Sequence, residues 1–342
     1  MTRDHSPRRL RRRDRNALIR NTLTAASLTA LSLTASGCVV VHGEREVLPA
    51  TTRAEAAKAL EQFTAAYNKA GRANDGSLDA HRVTGALADI DGARLKAGHA
   101  NSPGGNAGYT PLKLSDVKYT IPKKAGWPRW FVADALANKG GSARWLFVFT
   151  RHGLNQPFQV AYLTLLAPGD VPEFKKDRDG WAEAVSANTA RLAASPEDLS
   201  RGYTTYLKSG GSGFAAGPHT SGWRVQRTKE SRRPGLATQY IDEPLTAGDY
   251  APLALRTTDG GAMVFFATRH YVKQTAAAGT SPPSLNKDVE ALTKGEVKQS
   301  LTLEFISNEV ALDPKKGTTT GPGRGQVSLL GRIQGLTSAR GE

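Results

Sequence analysis

Two stretches of this 342-residue chain, FVFTRH at Phe147–His152 and FFATRH at Phe265–His270, carry the same apolar run closed by Thr-Arg-His. The match constrains the fold because it extends to neighbouring segments in the same order. Thr52-Arg-Ala-Glu55 supplies the hydroxyl and carboxyl of a capping box. Ala56, Leu60, Phe63 and Tyr67 then fall on one helical face, and Gly71 offers a stop. Ser195-Pro196-Glu197-Asp198 repeats the opening, with Leu199, Tyr203 and Tyr206 on the face and Gly210 at the end. Lys118–His152 aligns with Thr238–His270: a Tyr-containing extended run, an Ala-Gly turn, an apolar strand, a Gly-Gly turn, and a second apolar strand. Gly140-Gly141 and Gly260-Gly261 suit hairpins that need positive φ. Each copy continues into a strand sharing Leu-Thr-Leu, VAYLTLL or SLTLEF.

The pattern predicts an α+β fold of two tandem, internally duplicated domains, each with N-terminal helices packed on a curved antiparallel sheet. The first repeat spans 53–170 and the second 195–342, joined by a linker at 171–194 that Phe174 and Trp181 would pack. Each copy reads as a self-contained unit. The Gly-, Ser- and Pro-rich stretches 98–108 and 276–288 read as surface loops.

Residues 1–37 read as a lipoprotein signal peptide and are set aside from the fold. Arg8, Arg9, Arg11, Arg12, Arg13 and Arg15 form a basic segment, followed by a modestly apolar run to Cys38. Ala35-Ser36-Gly37-Cys38 resembles a bacterial lipobox, with Ala35 where Leu is usual. Cys38 is then the lipid-attachment site and 38–52 a tether. Arg8-Arg9 also fits twin-arginine export, so the export route stays open. Two acyl chains, at roughly 0.8 kcal/mol per buried methylene, hold a protein on a membrane where one chain would not. Cys38 is the single Cys, so no disulfide braces the exported part. Residues 1–37 hold eight Arg and two Asp, so removing +6 from the formal +15 leaves +9. That charge suits anionic lipid or wall polymer. The basic residues are scattered rather than striped, which argues against nucleic acid.

Chemistry is sparse. The seven His residues show no zinc-helix spacing, so neither a metal nor a cofactor is expected. Ser115–Lys118, Ser186–Asn188 and Lys208–Gly210 imitate the boxes of penicillin-binding enzymes, but Ser115 opens an extended run and Lys208 ends a helix. Asp89, Asp91, Asp242 and Glu243 read as solvated. Arg151 with His152, and Arg269 with His270, could hold an anion. Strand alternation, however, turns each Arg away from its His. Trp127, Trp130, Trp145 and Trp223 could line a pocket or seal the seam between copies.

The order of helices and strands resembles the cystatin-like and nuclear-transport-factor-like cone folds. The stretches GYTPLKLSDVKYTIPKKAGWPRWFVADA, RWLFVFTRHG, TSGWR and DGGAMVFFATRHYVKQTAAAG resemble uncharacterised actinobacterial lipoproteins with a paired domain of unknown function. The resemblance implies no activity. The expectation is a non-catalytic protein lipid-anchored on the extracytoplasmic face of the cytoplasmic membrane. It would act as a binding or scaffold module that meets anionic lipid, wall polymer or another envelope protein. The alternative is an exported enzyme or small-ligand binder with a pocket inside one cone. An enzyme would show titratable groups converging on aromatic walls, whereas a scaffold would show filled cones.

Overall fold

Thr52 caps the first helix as the capping box predicts, its hydroxyl accepting the Glu55 amide at 3.1 Å. The computed structural model describes residues 46–319 and 325–342, so the expected signal peptide and Cys38 lie outside the described residues. In chain order the elements of the first half are β1 (Leu48–Pro49), α1 (Arg53–Ala73), α2 (Gly85–Asn101), β2 (Leu114–Thr120), β3 (Pro122–Lys124), β4 (Arg129–Ala137), β5 (Arg144–Arg151) and β6 (Gln159–Leu166). After β7 (Ala182–Glu183) come α3 (Pro196–Ser209), α4 (Trp223–Glu230), β8 (Arg232–Arg233), β9 (Leu236–Leu245), β10 (Leu253–Arg256) and β11 (Ala262–Ala276). The chain closes with α5 (Lys287–Leu292), β12 (Thr293–Lys294), β13 (Ser300–Asp313) and β14 (Ser328–Gly341). Among the described residues the fold is therefore mixed α+β, with three sheets. One runs β2-β4-β5-β6, a second β12-β14-β13-β11-β9-β8 with β10 also on β11, and a small third β1-β3-β7.

The predicted helical faces do pack. Leu60 and Phe63 of α1 lie on Phe131, Phe147 and Phe149 of the first sheet. Leu199, Tyr203 and Tyr206 of α3 lie with Val264, Phe266 and Phe214 on the second. Gly210 ends α3 at φ 77° as expected. Gly71 does not end α1, which runs on to a left-handed Asn74. Gly71 is needed for space, because a Cβ there would sit 2.4 Å from the Tyr109 ring.

The halves are not self-contained. Trp130, Val132, Leu146 and Val148 of the first sheet form one core with Leu255, Met263, Phe265, Ala267 and Val310 of the second. The layers therefore run α1, sheet, sheet, α3, with the two sheets face to face. Helix α2 crosses the divide: Ala86 and Ile90 join the shared core, and Ala93 and Ala97 pack on Leu292 of α5. Two glycines of β14 admit close neighbours, α2 at Gly335 and β6 at Gly331. A Cβ on Gly335 would lie 2.5 Å from Ile90, and one on Gly331 would lie 2.9 Å from Leu166. The expected linker is stitched down: Lys175 N donates to Arg256 O at 2.9 Å, Val185 N to Ala254 O at 2.9 Å, and Ala182 N to Ile121 O at 2.9 Å.

The matched hexapeptides occupy opposite faces. Phe147 and Phe149 point at α1, whereas Phe265 and Ala267 point at the other sheet, and Phe266 takes the helix-facing role. Side chains alternate along a strand, so a slip of one residue between sequence match and structure inverts every position.

Candidate functional site

Alternation separates each Arg from its His. Arg151 donates to Glu55 of α1 at 2.7 Å and lies over the Phe158 ring, while His152 meets Asp249 at 3.2 Å. Arg269 pairs with Glu304 at 3.1 Å and Glu243 at 3.8 Å, while His270 points the other way. Trp130 is buried between the sheets, and Trp145 packs on the first core. Trp127 lies apart, its ring beneath Arg129 at 5.9 Å. Of the predicted set, only Trp223 and His270 come together, with ring centroids 6.4 Å apart.

That meeting marks a buried charged cluster which the sequence did not disclose. A π-turn at Pro218–Gly222 delivers Trp223 at the start of α4. Arg227, one turn on, grips Asp242 of β9 bidentately at 2.7 and 2.8 Å. Arg332 of β14 reaches Ser307 at 3.1 Å, His270 Nδ1 at 3.5 Å and Glu309 at 3.5 Å. The two guanidiniums lie 4.9 and 4.8 Å from the Trp223 ring. Asp242 and Asp91, read from sequence as solvated, are both buried, Asp91 taking Arg94 at 2.5 Å beside the equally buried Asp79. Burial and the neighbouring Asp91 push the Asp79 carboxyl well above the ordinary carboxylate range. A single sequence gives no sign of these pairs, since partners such as Arg332 and Glu309 are brought together only by strand pairing.

The cluster is closed: Glu309 is 0% exposed and His270 2%. Burial, then the charges of Arg332 and Arg227, lower the His270 pKa from 6.5 to about 2. Burial raises Glu309 and Asp313 to about 7. Between pH 2 and 6.5 the unfolded chain holds the His270 proton and the folded chain does not, so this residue's contribution to stability rises with pH there. The two carboxyls hold protons in the folded chain up to about pH 7, so theirs falls as pH rises towards that value. His270→Phe is expected to flatten the loss of stability below pH 4 while leaving the decline towards neutrality. Denaturant midpoints measured across pH check this, and an unchanged acid limb would exonerate His270.

An open concavity lies elsewhere. A cleft of about 810 Å³ separates the β2–β4 edge from the linker, lined by Asp116, Lys118, Tyr119, Arg144, Phe174 and Lys176 among others. Arg144 is buried and locked, donating to Asp134 and to the Asp116 carboxylate at 2.6 Å each. Asp116 sits at φ 45°, where a bulge breaks the β2–β4 register, and Arg144 holds it there through both carboxylate and carbonyl. No His or Cys lines this cleft, and among the described residues no group of three or more His, Cys, Asp or Glu could hold a metal ion. No helix among the described residues is long and apolar enough to cross a membrane.

No solved structure matches the chain. An uncharacterized lipoprotein of Streptomyces coelicolor is 68% identical over the full length of both chains, and one of Streptomyces avermitilis is 59% identical over the full length of both. A second uncharacterized lipoprotein of S. coelicolor is 31% identical over 66% of this chain and 63% of its own. The profile of the domain of unknown function DUF8094 spans residues 47–341, from the strand before α1 to the end of β14, and the chain belongs to that family.

Proposed function

We propose that this protein is a non-catalytic binding module, lipid-anchored through Cys38 on the outer side of the cytoplasmic membrane, which takes wall polymer in the cleft beside β2. The cleft carries the reading. Its fixed Asp116–Arg144–Asp134 triad can exchange hydrogen bonds with sugar hydroxyls. Tyr119 and Phe174 offer apolar faces to sugar rings. Lys118 and Lys176, both exposed, suit the acidic groups of a wall glycan. The first half supports a binding rather than enzymatic reading, because five phenylalanines fill the space beneath its helix. The second half supports descent of both halves from one helix-then-sheet unit of the cone-fold kind, since α1 and α3 present matching faces to their sheets. An exported enzyme is the second reading, favoured only by the convergence of His270, Glu309 and Trp223 on Arg332, and it requires that closed cluster to open.

The test is a pull-down and titration with soluble glycan strands released from the cell wall. Binding is expected for the native chain, and each lost charged hydrogen bond in Lys118→Ala/Lys176→Ala should weaken it by about tenfold. Equal binding by the double variant, or none by the native chain, would refute the assignment.

A further inference from the structure

An exposed apolar pair, Val47 and Leu48, lies at the small sheet. Of the six exposed large hydrophobic residues among those described, two are consecutive here, Val47 at 61% exposure and Leu48 at 41%. Leu48 pairs with Lys124 across the small sheet. The Lys124 amine donates to Pro128 O at 2.7 Å, and Arg129 donates to Leu48 O at 3.3 Å and to Lys124 O. The half-exposed Trp127 ring lies against Arg129. Lys124 forms no ion pair with a carboxylate among the described residues. Burial, then the charge of Arg129, lowers its pKa to about 8.

Position says what covers this patch. Cys38 lies nine residues before Val47, a span of about 30 Å at full extension. An acylated Cys38 therefore keeps the patch within a few Debye lengths of the bilayer surface. Tryptophan and apolar side chains favour the headgroup boundary, and basic residues are drawn to anionic lipid. We infer that Val47, Leu48, Lys124 and Trp127 form a membrane-resting face that docks on the anionic lipid surface holding the anchor, with the buried Arg129 bracing it from beneath and fixing how the domain stands on it. The inference rests on the lipid-anchor part of the proposed function and not on the cleft.

The full lipidated chain, placed in phosphatidylglycerol vesicles with brominated acyl chains, should show quenched tryptophan emission. That quenching should disappear in Trp127→Phe and in Val47→Glu/Leu48→Glu, whose altered side chains are exposed. In phosphatidylcholine vesicles it should fall about fivefold, the effect of one basic residue, Lys124, at the surface. Quenching that persists in both variants, or is equal in the two lipids, overturns the docking face alone. Membrane retention of Cys38→Ala in the cell, compared with release of that variant into the medium, reports on the anchor separately. Retention would overturn both the anchor and the face that depends on it.

Discussion

Arg227→Ala is expected to cost about 3–5 kcal/mol of stability, because it leaves Asp242 charged, buried and unpaired. Both side chains of this ion pair are only 7% exposed. The same change removes the guanidinium from between the Trp223 and Tyr240 rings, 4.9 and 4.7 Å away. Burying two charges is costly in itself, so the pair need not add much net stability over an apolar replacement. The double variant Arg227→Leu/Asp242→Leu should accordingly lose far less than the single one. Chemical denaturation of the three proteins decides it. A single variant within about 1 kcal/mol of the native chain would mean that Asp242 finds water or another partner when Arg227 is gone.

Trp130→Ala should be as damaging, at about 3–5 kcal/mol, since the emptied volume lies between two sheets that cannot close over it. Trp130 is 2% exposed and shares its core with residues from both halves, Met263 and Phe265 among them. The loss should therefore appear everywhere. Calorimetry should show one transition for native and variant proteins, and amide protection should fall together in β5 and β11. Two resolved transitions, with β11 unaffected, would show that the halves stand independently after all.

Local signals were legible in the sequence, and long-range ones were not. The capping box at Thr52, the Pro-led start of α3 and the glycine-containing turns before β5 and β11 each depend on a few adjacent residues. Gly71 misled because a stop glycine and a glycine cleared for a neighbouring ring look alike in one dimension. The paired hexapeptides suggested equivalent strands, yet a slip of a single residue reverses which side meets the helix. Trp223 and His270 stand out in the sequence only individually. Their partners Arg227, Asp242, Glu309 and Arg332 come from α4, β9, β13 and β14, and nothing in their spacing signals the meeting. The cleft was invisible for a similar reason: it exists between a bulged edge strand and a connector that the sequence marks merely as a linker.

The last strand sets the order in which this chain can mature. β14 runs to Gly341, pairs with β13 along its length, and brings Gly331 and Gly335 against β6 and α2 from the first half of the sequence. A growing chain that has passed β13 thus still presents an open sheet edge and a helix with one side uncovered. Such a species is prone to mispairing until synthesis delivers the final residues. A premature stop after Gln326 would remove an interior strand rather than a tail, and the product should be cleared as misfolded instead of surviving as a shortened protein.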